Sequence, residues 1–512
     1  MKRFIIITLT LVSTLTLSAC GNGNYNDRTL VTDECDHLDN INEWQPVWCD
    51  EFEYEGLPDD TKWDYDVGGS GWGNNELQYY TESDLDNAFV KDGVLTIRAL
   101  QEAMSGRNYT SARLVTKYRG DWQYGKVQVC AKLPAGRGTW PALWMLPTDW
   151  QYGGWPDSGE IDIMEHVGYD EGTVHGTIHT AAYNHALGTQ IGYSKTVEDA
   201  TSAFHVYEME WEPSRITLYI DGEQYAEFGY NPYANIGTPN SDAWPFDQTF
   251  HLIMNIAVGG FWGGAQGVDS SAFPTQMEVD YVRVYQKDYA GMDNEDPDTV
   301  TDLGLLDATF NTVQVMWEHA EDDVMTEMYE IFVNGELVGE TTVNSFIIED
   351  LDPETSYEIG VVAKDFAGNR SDMETVNIQT ETLPLVTERV EAENYVLQVG
   401  TMREDTTDIE GGQNVGYIDT GDYLEYLVYV EEEGTYQVTY RVASESGGGE
   451  IEFYGKGNFP LARTEIAATG GWQTWTDVTS ETFTLYEGVL RIRLTASSGG
   501  FNINYFDIEK VD

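Results

Sequence analysis

Beyond the N-terminal leader, apolar positions alternate with polar ones at a period of two, and runs with the helical period of 3.6 are nearly absent. "GVLTIRAL" (93–100), "YGKVQVCAKLP" (124–134), "RITLYIDGEQYAEF" (215–228) and "MEVDYVRVYQ" (277–286) are short β-branched and aromatic runs bounded by Gly, Asn, Asp and Pro. The pattern predicts an all-β protein. Two polar, Pro-containing stretches, 287–298 and 380–389, read as linkers. They divide the chain into a large body at 40–287, a small one at 298–382 and a third at 388–512.

The N-terminus has the make-up of a secretory leader over residues 1–20: Met1-Lys2-Arg3, an apolar run from Phe4 to Leu17, and small residues before a cysteine. "LSAC" also resembles a bacterial lipobox, which implies lipidation at Cys20 and an extracytoplasmic protein tethered to a bacterial membrane. No later run approaches the ~20 apolar residues of a spanning helix, so the membrane is met through the anchor alone. With 27 basic against 88 acidic side chains the formal charge is −61. Such a field repels nucleic acid and anionic headgroups and favours neutral partners; it suits either a saline habitat or simply a well-solvated surface. Cys35, Cys49 and Cys130 remain after Cys20, without zinc-site spacing. One bridge and one buried thiol are expected, and proximity favours Cys35 with Cys49.

Chemistry changes the picture at "GEIDIMEHVG" (159–168), where Glu160, Asp162 and Glu165 lie among Ile161, Ile163 and Met164. On a regular strand Glu160 and Asp162 share a face and Glu165 points away. A one-residue bulge near Met164 returns Glu165 to their face. Two carboxyl groups brought to ~5 Å are the equipment of a retaining glycosidase. The same region holds 12 of the 15 tryptophans, between Trp44 and Trp262. That is more than one sandwich core uses, and aromatic faces suit neutral sugar rings.

"GEIDIMEHVG", in this bulged form, resembles the active-site strand of glycoside hydrolase family 16. The resemblance runs through "VWCDEF", "GWGNNELQYYT", "TSARLVTK", "GRGTWPALWMLP", "VHGTIHTAAYNH", "FHVYEMEW", "FHLIMNIAVGGFWGG" and "MEVDYVRVYQ", and "GWGNNELQYYT" with "VHGTIHTAAYNH" is similar to the laminarinase branch. It implies a jelly-roll sandwich that cleaves internal β-1,3 bonds of glucans without a cofactor. Glu160 matches the nucleophile, Asp162 the assisting carboxylate and Glu165 the acid/base. Asn75, Trp140, Trp144, His179 and Trp262 fall in cleft-lining motifs, and Glu51, Gly93 and Asp280 match a structural calcium position. Cys49 departs from the usual Ser before "DEF", and Phe261 from the usual Asn in the Gly-rich loop. His175 and His179 do not make a metal motif, since strand residues four apart merely share a face.

Residues 298–382 resemble a fibronectin type III domain, an immunoglobulin-like sandwich with Tyr357 of "LDPETSY" at the tyrosine corner; a spacer role is implied. "VEAENY", "GYIDTGDYLEYLVYV", "GTYQVTYRVAS", "GGWQTWTDV" and "GGFNINYFDIEKV" resemble a family 6 carbohydrate-binding module, a third β-sandwich. Tyr417 and Trp472 match its sugar clamp, Asn502 its orienting polar contact, and Glu391, Glu393 and Asp507 its calcium ligands. The whole reads as a monomeric, tethered endo-β-1,3-glucanase with a β-glucan polysaccharide as partner. A galactan hydrolase of agarase type and a non-catalytic glucan receptor are the rivals; the presence of both Glu160 and Glu165 weighs against the second.

Overall fold

The computed structural model describes residues 35–383, 389–409, 412–455, 457 and 459–511. The leader and Cys20 lie outside the described residues, as does 384–388 of the second linker.

Residues 44–287 form two facing eight-stranded sheets. Four adjacent strands of one sheet carry the site: β1 (Thr139–Pro147), β2 (Glu160–His166), β3 (Thr173–His179) and β4 (Phe250–Val258). Their order is β3-β2-β1-β4, continued by Arg113–Val115. Each shows why its sequence becomes a strand: alternate residues go to opposite faces. From β1, Leu143 and Met145 enter the core, while Trp140 and Trp144 stay half-buried on the other face. From β4, Phe250, Leu252, Met254, Ile256 and Val258 are all fully buried in that core. Each contributes about 1.5–3 kcal/mol on leaving water, enough together to hold three acids on the strand next but one.

The expected bulge is present. Asp162 pairs with Thr177 and Glu165 with His175, so two residues of β2, Ile163 and Met164, stand opposite Gly176 alone. Toward β1 the register also slips, with Asp162 opposite Trp144 and Glu165 opposite Ala142. Ile161, Ile163 and Met164 all enter the core, and the three acids share the opposite face. The Tyr225 hydroxyl donates to the Ile163 carbonyl at 2.7 Å, which satisfies a backbone group that the bulge leaves unpaired.

Cys35 and Cys49 are bridged, tying the first described turn to the strand Trp44–Asp50. The expected lone thiol is not found: Cys130 is fully buried, and among the described residues no cysteine is free.

Seven strands between Thr301 and Gln379 form sheets of three and four around Trp317 and Tyr329. The Tyr357 hydroxyl accepts from the Asp352 amide at 2.8 Å, the corner contact expected there. This domain is docked on the first rather than merely strung behind it. Asn240 donates to the Ser345 carbonyl at 2.7 Å, Gly237 N–H to Gln314 at 2.8 Å, and Phe366 stacks on Tyr289 with ring centroids 4.6 Å apart. The C-terminal body packs a seven-stranded sheet on a five-stranded one around Tyr426, Tyr440, Phe453 and Phe506.

Candidate active site

Antiparallel pairing places directly opposed residues on one face. Glu160 lies opposite His179 and Glu165 opposite His175 on β3; on β4, Asn255 lies opposite Ala142 and Arg113 opposite Asn255. One continuous face therefore carries the three acids, both histidines, Trp140, Trp144, Asn255 and Arg113.

Each acid is held individually. Trp155 donates to Oε2 of Glu160 at 3.0 Å, and Trp140 to Oε1 of Glu165 at 2.9 Å. His179 Nε2 is 3.5 Å from Asp162 and 3.8 Å from Glu160. Burial, opposed by Trp155 but reinforced by the Glu165 charge, pushes Glu160 up to about 8. Burial against the Trp140 hydrogen bond brings Glu165 to about 7. Burial first, then the charges of Glu165 and Glu160, raise Asp162 well above the ordinary carboxylate range, and it shares a hydrogen bond with Glu160. At the ~5 Å of a retaining pair, two like charges repel by about 3 kcal/mol in an effective dielectric of ~20. Near neutral pH the glutamates therefore hold one proton between them. Burial lowers His179 to about 4, leaving it neutral. Glu160, Asp162 and His179 each bring a ligand atom within 4.8 Å of the others, so a cation entering here would compete with the chemistry.

Around the acids the aromatic residues divide. Trp262 meets Trp140 edge-on at 5.5 Å and His175 at 5.1 Å. Trp144 donates to Asn255 at 2.7 Å, and the Arg113 guanidinium covers one of its faces at 4.7 Å. Neither Trp144 nor Trp262 belongs to the core. Asn75 is exposed on its loop, and its neighbour Glu76 is the residue that turns inward. Gln78 and Tyr80 both hydrogen-bond to Glu76, and Tyr80 in turn accepts from Asn255. The loop is locked to Gly259–Gly260: Phe261 N–H donates to Asn74 O at 2.8 Å, and a Cβ on Gly260, whose φ is +78°, would lie 3.0 Å from that same oxygen. Phe261 itself is exposed.

Sequence reasoning missed Glu76, Arg113, Trp155 and Asn255. Glu76 and Arg113 lie inside motifs singled out above, but their inward direction depends on loop contacts and register. Trp155 carried no signal beyond being one of many tryptophans.

In the C-terminal body, Tyr417 and Trp472 are both exposed and line a cleft of about 490 Å³ with Glu404, Asp419 and Asn502. Asn502 is buried and its amide nitrogen donates to Glu404 and to the Trp472 carbonyl at 2.9 Å. It fixes the clamp as well as facing the cleft. Glu404, which also accepts from Asn414 and Gln473, was not anticipated.

The metal expectations fare differently. Both carboxylate oxygens of Glu51 accept from Arg283 at 2.7 Å, so its backbone carbonyl is what it could offer to a calcium set with Gly93 and Asp280. Asp507 faces Arg389 at 3.5 Å, and Glu391, Glu393 and Asp507 do not converge as a three-ligand cluster among the described residues. Of these three, Glu393 keeps a buried carboxylate oxygen without a hydrogen-bond partner.

Buried carboxylates that share protons beneath open tryptophan faces, on a β-sandwich, define a glycoside hydrolase. Residues 72–283 match Glycosyl hydrolases family 16, and the chain belongs to that family. Residues 391–510 match the family 6 carbohydrate binding module. Over 255 residues the chain is 58% identical to the beta-glucanase of Rhodothermus marinus, covering 49% of this chain and 88% of that protein. A longer match, 30% identical over 535 residues, covers 91% of this chain and 76% of the clotting factor G alpha subunit of Tachypleus tridentatus. The X-ray structure of the Rhodothermus marinus laminarinase superimposes with a TM-score of 0.46 at 58% identity, covering 48% of this chain and 98% of that one.

Proposed function

We propose that the chain is a retaining endo-β-1,3-glucanase acting on laminarin-type glucans. The observation that carries the reading is the bulge in β2, which sets Glu160, Asp162 and Glu165 on one face beneath Trp140, Trp144 and Trp262. Relatives named as glucan endo-1,3-beta-glucosidases, one from Niallia circulans at 40% identity, support the substrate class. In the form of the pair whose shared proton stands on Glu165, Glu160 is ionised, favoured by the hydrogen bonds from Trp155 and Asp162, and attacks the anomeric carbon while Glu165 protonates the departing oxygen. Glu165, now anionic and stabilised by the Trp140 N–H, takes a proton from water, which releases the sugar from Glu160. Tyr417 and Trp472 hold another stretch of the glucan in the module, with no cofactor in the reaction. Incubating the full-length protein with laminarin, lichenan, curdlan and agarose tests this: laminari-oligosaccharides from laminarin and curdlan are expected, and products from agarose alone would replace the reading with a galactan hydrolase.

The leader and Cys20 support a lipid-anchored, extracytoplasmic enzyme, checked by loss of lipid labelling in Cys20→Ala. The orphan oxygen of Glu393 supports structural calcium in the C-terminal module, with Glu391 as co-ligand; calcium should raise the module's unfolding temperature.

A further inference from the structure

A second group of acids lies where the catalytic domain ends, one of them buried. The short helix Tyr289–Met292 stacks Tyr289 on Phe366 of the second domain and terminates at Asp293. Asp293 is only 7% exposed, and neither of its carboxylate oxygens has a well-formed hydrogen bond, the Glu295 amide giving partial compensation. Facing it, from the turn after Val313–Glu318, are Asp322 and Asp323. Asp322 uses Oδ2 to accept from the amides of Val324 at 2.9 Å and Met325 at 2.6 Å, which leaves Oδ1 buried and without a partner. One oxygen from each of the three aspartates lies within 4.8 Å of the other two.

This arrangement is costly as it stands. Asp322, Asp365 and Asp323 all bring negative charge to the buried Asp293. Basic side chains of the adjoining strand and turn are engaged elsewhere: Lys364 pairs with Glu327 and Arg370 with Glu330. A buried carboxylate needs either a donor or a cation, and three orphan oxygens on two different carboxyl groups are more than one shared proton satisfies.

We propose that Asp293, Asp322 and Asp323 bind a divalent cation of the calcium class, which fastens the second domain to the end of the catalytic domain. The donors are all carboxylate oxygens, which selects a hard cation over zinc or copper. Calcium–oxygen distances of about 2.3–2.6 Å let two ligands of one ion stand at most ~5 Å apart, which the observed spacing meets. Asp323 is solvent-exposed, so water completes the shell from that side. Magnesium, which demands a near-ideal octahedron of closer ligands, suits three acids from two separate segments less well. The ion joins the linker to the turn at 322–323 and reinforces the docking made by Phe366 and Asn240.

The test uses the full-length protein, stripped with EDTA and titrated with calcium chloride by calorimetry, beside Asp293→Asn and Asp323→Asn. Each variant is expected to bind one calcium ion fewer per chain than the unaltered protein, to lose part of the calcium-induced rise in unfolding temperature, and to hydrolyse laminarin at the unaltered rate. In EDTA, Asp293→Asn should be at least as heat-stable as the parent, because an uncompensated buried charge has gone. Should Asp293→Asn fold poorly, the exposed Asp323→Asn decides the matter. Unchanged calcium stoichiometry in the variants would overturn the site, and equal displacement by magnesium would overturn its assignment to calcium.

Discussion

The indole N–H of Trp155 donates to Oε2 of Glu160 at 3.0 Å, although Trp155 remains 38% exposed. A residue outside the core thus tunes the nucleophile, since its hydrogen bond opposes the rise that burial imposes on Glu160. Trp155→Phe keeps the ring and removes the donor. Because a hydrogen bond to a charged group contributes about 1.5–3 kcal/mol, kcat/KM on laminarin should fall by roughly 10- to 100-fold. With the opposing donor gone, Glu160 stays protonated to higher pH, so the acid limb of the pH–kcat/KM profile should move in the alkaline direction. An unmoved limb would show that Trp155 only packs.

Glu160 and Glu165 occupy different surroundings, His179 and Trp155 beside one and Trp140 beside the other, and a retaining reaction gives them different tasks. Glu160→Ala should be nearly inactive and recover activity with azide, forming the inverted glycosyl azide. Glu165→Ala should suffer most on substrates with poor leaving groups and retain configuration with azide. Net inversion by the unaltered enzyme, followed by NMR of the first-formed anomer, contradicts both assignments.

The same burial has a consequence for folding. Glu160 has a folded pKa raised from the ordinary 4.5 to about 8, so its contribution is fully present below pH 4.5 and is lost as pH rises through about 8. Glu160→Gln, which removes the titration, should match the parent in unfolding temperature near pH 4.5 and exceed it by several degrees at pH 8. A difference that stays constant across this range would place the titration elsewhere.

The clamp formed by Tyr417 and Trp472 is a second sugar site on the same chain. Tethering makes capture of a polymer intramolecular, provided both sites reach it at once. Tyr417→Ala with Trp472→Ala should therefore lower activity on insoluble curdlan several-fold and leave turnover of short laminari-oligosaccharides nearly unchanged. Equal losses on both would point to a structural role for the module.

The local pattern was sufficient for much of this. The near-continuous apolar runs of β1 and β4 read as buried strands of a core, whatever their neighbours. Three acids among Ile161, Ile163 and Met164 require a bulge if all are to leave that core, because each apolar side chain must enter it; the register slip opposite Gly176 meets that requirement. Tyr417 and Trp472 are exposed although both lie in strands, Gln413–Ile418 and Gly471–Thr479. What tertiary structure alone decided depends on partners remote in sequence. Arg283 captures the Glu51 carboxylate across 232 positions. Glu76, Arg113 and Trp155 join the active site because their segments fold against β1, β2 and β4. Asp293 meets Asp322 and Asp323 where the second domain docks on the first, beside the stack of Tyr289 on Phe366. Charge and hydrogen bonding act over a few ångströms in space, and a linear sequence records which groups are present but not which of them will stand that close.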